Sequence, residues 1–245
     1  MKTMVFAARN SKEMLRDKIN LFFGIGFPIV LLLLLTAIQS NIPVKLFEID
    51  KLTPGIAVFG LSFISLFSGM LIAKDRTSSF MLRLFTSPLT SANFILGYTI
   101  PLFPMAIAQI AVCFVVAFFL GLTININILL TIIVLMPTAI MFIAIGLLCG
   151  SIFTDKQVGT VCGALLTNVS AWLSGTWFDL NLVGGTFKAV ADVFPFVHAV
   201  NAGRAALSGN YQNIMPDLLW TVAYAIIILA LAIYAFNKKM NSDNV

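Results

Sequence analysis

The stretch Ile128–Phe153, ILLTIIVLMPTAIMFIAIGLLCGSIF, contains no charged side chain. A helix needs about 20 residues to cross the hydrocarbon of a bilayer, so this one is long enough to span it. It is too continuous to be a strand of a transmembrane barrel, where apolar and polar residues alternate. The same reading extends along the chain. Further apolar runs fall at Ile19–Gln39, Thr53–Ala73, Phe94–Leu120, Gln157–Phe178 and Leu218–Phe236, which predicts six transmembrane helices. Pro101 and Pro104 mark places where the third span can bend, and Pro137 does so in the fourth. The first run is read as a span rather than a cleaved leader, because it is long and no small-residue cleavage site follows.

Composition agrees. The chain is 60% hydrophobic and 10% charged, with a mean hydropathy of +1.00. Soluble domains carry about 25% charged residues. So little charge could not cover a folded core in water. In lipid, exposed apolar side chains are tolerated and each backbone polar group must be satisfied within the bundle. The fold class is therefore an all-α integral membrane protein, a single transmembrane domain over residues 1–245.

Six spans place both termini on one side. Eleven of the Lys and Arg residues fall on that side and four (Lys45, Lys51, Lys188 and Arg204) on the other, so the termini are expected in the cytoplasm. The formal net charge of +5 follows from this sorting. It does not point to nucleic acid, since the basic residues are not interleaved with aromatics on one exposed face. Cys113, Cys149 and Cys162 lie within predicted spans at spacings that suit neither zinc nor a disulfide framework.

Residues 1–18 read as an amphipathic helix in the cytoplasmic interface. Val5, Ala8, Leu15, Ile19 and Phe22 form its apolar stripe, with Arg9, Lys12, Arg16 and Lys18 around it. The plainer alternative is a basic flank that only sets topology. Residues 74–93 form the longest cytoplasmic loop. Within it Phe80, Met81, Leu84 and Phe85 share one helical stripe, which either packs under its own bundle or inserts in a partner's groove. Residues 179–217 form an outer hairpin of helices too short to span, re-entrant or interfacial, and residues 237–245 form a cytoplasmic tail. His198 and Arg204 lie in that hairpin, and His198 is read first as a structural residue.

Two constellations lie within the spans. Gly146 and Gly150 in the fourth span, and Gly159 and Gly163 in the fifth, have the GxxxG spacing that lets helices approach closely. Thr160, Thr167 and Ser174 recur every seven residues, with Asn168 and Ser170 beside them, and Ser62 and Ser65 make a shorter polar stripe in the second span. Such stripes either glue helices together or line a pathway. There is no phosphate loop of the GxxxxGK[ST] type, no HExxH and no GxSxG. A membrane pathway with no visible energy source implies that energy, if used, comes from another chain.

The segment KDRTSSFMLRLFTSPLTSANFILGYTIP, from Lys74 to Pro101, resembles the first cytoplasmic loop of type-2 ATP-binding-cassette (ABC-2) permeases. The matching parts are Asp75-Arg76, the Ser78-Ser79 turn, the helix Met81–Phe85, Ser87-Pro88-Leu89 and Gly97-Tyr98. Leu173-Ser174-Gly175, Phe194-Pro195-Phe196 and the stretch ending at Arg204 resemble the end of that family's fifth span and its outer hairpin. Ser78-Ser79 departs from the Gly-Thr and acidic residue of many relatives, which puts the detail of the partner contact in doubt. The resemblance implies a drug- or antibiotic-exporter-like permease that works as a dimer, with a second copy or a homologue, above two cytoplasmic ABC ATPase subunits. Phe80, Met81, Leu84, Phe85 and Arg76 would couple to the ATPase. ATP and magnesium would bind on the partner, leaving no cofactor on this chain, and the first, second and fifth spans would line the path. The competing expectations are a stand-alone channel, an exporter of polysaccharide or ions, and an intramembrane enzyme centred on His198.

Overall fold

The computed structural model describes residues 2–43, 46–77 and 90–242. Among them the chain is helical, with no strand. Helix α1 covers Lys2–Arg16, α2 Lys18–Gln39, α3 Ile49–Thr77, α4 Ser91–Phe119 and α5 Asn127–Ile152. Helix α6 runs over residues 155–173, followed by α7 Leu180–Val183, α8 Gly185–Val193, α9 Pro195–Ser208 and α10 Ile214–Ser242. The segment with the stripe Phe80, Met81, Leu84 and Phe85 lies outside the described residues.

Five of these helices are long and apolar enough to cross a membrane: α2, α3, α4, α5 and the run Tyr211–Lys239 that contains α10. Each contains or overlaps a span predicted from the sequence, to within a few residues at most ends. The fifth predicted span is the exception. Helix α6 begins with Asp155, Lys156 and Gln157 and carries Thr160, Thr167, Asn168 and Ser170, so it is helical but not uniformly apolar. Its middle, Gly159–Leu166, is wound as a π-helix.

Helix α3 is the centre of the bundle, buried without a break from Leu52 to Ser65. It packs most extensively on α5, and α5 packs on α10. The α3–α5 seam is close because glycines meet backbone there. A Cβ on Gly146 would lie 2.0 Å from the Ser65 carbonyl oxygen, and one on Gly150 would lie 2.3 Å from that of Gly69. Ser68 Oγ bridges the seam by donating to the Ile143 carbonyl at 3.1 Å. Helices α2 and α10 are peripheral, with exposed leucine, isoleucine and valine side chains facing outward. Helix α4 continues through Pro101 and Pro104, whereas α5 is interrupted at Leu135, just ahead of Pro137.

Helix α9, 14 residues long, is too short to cross a bilayer. It packs on α10, α5 and the start of α3 and buries Phe196, Val197, Val200 and Leu207. Gly209 closes it with φ = 76°, a left-handed conformation that glycine adopts without steric cost. Helix α8 leaves Val190 and Val193 exposed beside it.

The predicted apolar stripe of helix α1 faces away from the bundle, as an interfacial helix presents it to lipid. The buried face of α1 is Phe6, Ala7 and Asn10, whereas Val5, Ala8 and Leu15 point outward, and Ile19 and Phe22 at the start of α2 are also exposed. The helix has two apolar faces. Periodicity alone picked the outer one.

Candidate functional site

The end of the bundle that carries α1 also carries the end of α3 and the start of α4, the two helix ends that flank residues 78–89. Asp75 and Arg76, adjacent on the last turns of α3, make opposite connections. Arg76 Nη1 donates to the carbonyl oxygens of Gly150 at 2.7 Å and Phe153 at 3.3 Å. These carbonyls belong to the end of α5, where a cation also complements the helix dipole. The chain then turns into α6 through a capping box formed by Thr154 and Gln157.

Asp75 turns the other way. Its carboxylate is 4% exposed and accepts from both terminal nitrogens of Arg9, at 2.5 and 2.8 Å. Tyr98 in α4 donates a third hydrogen bond to it at 2.8 Å. Arg9 also pairs with Glu13 one turn on, at 2.7 Å. Burial pushes the Arg9 guanidinium down, but the Asp75 hydrogen bond and charge carry it above its ordinary value, so it stays charged. Beside this cluster Asn10 Nδ2 donates to the Gly97 carbonyl at 3.1 Å. Phe6 packs edge-on against Tyr98 and Phe94. The Phe6 ring fills the space of a Gly97 side chain, with a Cβ there falling 2.4 Å from it.

The polar residues within the spans do not form one surface. Ser62 and Ser65 are fully buried in the bundle, and Ser62 Oγ bonds back to the Phe59 carbonyl. In α6 the π-helical turns break the heptad register. Thr167 Oγ1 reaches the carbonyl of Cys162, five residues back, at 3.0 Å. The predicted stripe therefore splits. Thr167, Ser170 and Ser174 are buried, whereas Thr160 and Asn168 are exposed. Ser174 Oγ shares a 2.7 Å hydrogen bond with Thr176. Most of these hydroxyls bond carbonyls of their own helix, which satisfies them without a helix partner. The glycine pairs also differ. Gly146 and Gly150 touch the backbone of α3, Gly163 meets only the end of Leu66, and a Cβ on Gly159 would meet nothing within 4 Å.

At the opposite end, Arg204 in α9 donates to the Lys51 carbonyl and to the Gly175 carbonyl, both at 3.0 Å. It ties α9 to the start of α3 and to the turn after α6. His198 Nδ1 lies 2.6 Å from Asp217 Oδ1, and Nε2 lies 2.9 Å from the Asp192 carbonyl. Its ring stacks on Trp220 at 5.2 Å. No nucleophile is placed with His198 by these contacts.

The sequence reading missed Arg9 and Tyr98 as partners of Asp75, and Asn10 beside them. The signal was there in Asp75 itself. A carboxylate on the last turns of an apolar helix needs a cation and a donor to be buried. Gln109 in mid-α4 was also missed. It is fully buried against α3, with Nε2 3.4 Å from the Ala57 carbonyl.

The family model for the ABC-2 type transporter matches residues 1–208. The chain therefore belongs to the ABC-2 type transporter family, as the loop motif implied. It is a permease subunit of an ABC transporter and a multi-pass membrane protein. No curated relative matches it.

Proposed function

We propose that this chain is the membrane-spanning half of an ABC exporter, acting as a dimer with two cytoplasmic ATPase subunits beneath it. The observation that carries this reading is the anchoring of the 78–89 loop. Its first root is held by Arg9 and Tyr98 through Asp75 and by the end of α5 through Arg76. A loop that receives force needs roots fixed to several helices, and these roots are. Both termini and this loop face the cytoplasm, and α6 is the remaining crossing, fifth of six in chain order, a polar helix turned toward the second permease.

In this reading Phe80, Met81, Leu84 and Phe85 dock in a groove on the ATPase, with Arg76 holding the helix root behind them. Thr160 and Asn168, exposed on the single chain, face the pathway or the second protomer. Ser62, Ser65, Thr167 and Ser174 are packed behind it, inside the bundle. The cargo is an amphipathic molecule of the drug, antibiotic, peptide or lipid-like class. A small cleft between α1, α2, α3 and α4 is lined by Phe67, Met70, Leu71 and Met105, with Glu13, Asp17 and Lys74 at its polar rim.

Replacing Phe80, Leu84 and Phe85 together by Ala is expected to leave membrane insertion intact and abolish ATP-driven export. Export by the triple variant at the wild-type rate would overturn the docking role.

A further inference from the structure

The Arg9–Asp75–Tyr98 cluster joins three helices at one carboxylate. Asp75 belongs to the root that enters the 78–89 loop, and Tyr98 belongs to the helix that leaves it. Arg9 belongs to neither. It brings α1 onto both, and the Asn10 bond to Gly97 and the Phe6 contacts with Phe94 and Tyr98 add a second set of ties to the leaving root. The guanidinium fork meets both carboxylate oxygens, a planar arrangement that fixes orientation as well as distance. The two partners are not equivalent: removing Arg9 takes the guanidinium fork from a carboxylate that is 4% exposed, whereas Arg9 is 35% exposed and also pairs with Glu13.

We infer that Arg9, Asp75 and Tyr98 are positioning residues for ATP-driven transport, clamping α1 and both roots of the loop into one rigid unit. The inference rests on the exporter reading. An ATPase pushing on the loop then moves α1 together with the ends of α3 and α4. Without the clamp the push is absorbed at the loop roots. The cluster touches no cargo and no nucleotide. It acts through the elements it holds.

The test uses the complete complex, permease and ATPase subunits purified together and placed in lipid nanodiscs. The variants are Arg9→Gln, Asp75→Asn, the double Arg9→Gln/Asp75→Asn, the conservative Arg9→Lys, and Tyr98→Phe, which deletes a single hydroxyl. Subunit stoichiometry reports assembly. ATP hydrolysis by the complex, compared with the ATPase alone, reports transmission. The expected result is full stoichiometry and an unchanged KM for ATP. The permease-dependent part of kcat falls at least about threefold in each single neutral variant, as for residues of one network. The double falls no further than the worse single, and Arg9→Lys recovers part of the loss.

Wild-type kcat in the single variants, or strictly additive losses in the double, would overturn the inference. So would failure of every variant to assemble, Tyr98→Phe included, because the cluster would then serve folding alone. A wild-type permease that purifies with no ATPase removes the exporter reading itself, and the clamp with it.

Discussion

Replacing Gly146 by Ala tests the α3–α5 seam, on which the rest of the bundle is assembled. The new methyl would stand 2.0 Å from the Ser65 carbonyl oxygen and 1.9 Å from Ser68 Oγ. Ordinary contact begins at 3.4 Å. The serine hydroxyl can rotate away, but the carbonyl is part of α3 and cannot. Helix α5 must therefore retreat by about 1.4 Å, in an interior packed too tightly to absorb the shift elsewhere. That movement also stretches the Ser68–Ile143 hydrogen bond beyond reach. Overpacking costs about 1–3 kcal/mol and an interhelical hydrogen bond in a membrane protein about 0.6 kcal/mol. Alanine's better helix propensity returns about 1 kcal/mol, leaving a net loss of about 0.6–2.6 kcal/mol. Gly159→Ala is the matched control, because its Cβ meets nothing within 4 Å. The assay is unfolding in mixed micelles of rising sodium dodecyl sulfate fraction, followed by tryptophan fluorescence. Gly146→Ala should unfold at a lower fraction than wild type, and Gly159→Ala at the same or a higher one. Equal midpoints for the two variants would refute the packing argument.

Arg76→Ala removes the charged donor at the end of α5, a loss of about 1.5–3 kcal/mol for a hydrogen bond to a charged group. Backbone hydrogen exchange around residues 150–155 should speed up, and unchanged exchange there would count against a capping role. His198 gives a pH signature. The Asp217 hydrogen bond raises its pKa, against the opposing effect of burial. Because the folded value is the higher one, the stabilisation is complete below the ordinary value of about 6.5 and is lost as pH rises through the raised value. The thermal midpoint of wild type should therefore exceed that of His198→Asn most at acidic pH, with the gap narrowing as pH rises. A gap that does not change across this range would show that the pair adds no pH-dependent stability.

The long uncharged runs made most of the architecture legible, because a bilayer imposes length and hydropathy directly on the sequence. What stayed hidden depended on neighbours. Gly146-to-Gly150 and Gly159-to-Gly163 look alike as text, yet one pair meets the backbone of α3 while Gly159 meets open space. The Thr160, Thr167 and Ser174 heptad assumed a regular α-helix, and the π-helical turns at Gly159–Leu166 rotated its members apart. Helix α1 carried two apolar faces, and only the packing of Phe6 on Tyr98 and Phe94 says which one is inside. The Asp75-Arg76 pair was visible as a motif, but its division of labour was not. One residue accepts from Arg9 of α1, and the other donates to the end of α5, contacts that no spacing rule encodes.

The central claim is that this permease is driven by separate ATPase chains. The most direct measurement is mild-detergent purification of the full-length chain from its native membrane, with identification of co-purifying proteins and an ATPase assay. The account predicts a stoichiometric soluble partner that contains a phosphate loop, with ATP hydrolysis in the purified material. A chain that purifies alone, shows no hydrolysis and passes solute in liposomes without nucleotide would contradict it and establish a channel instead.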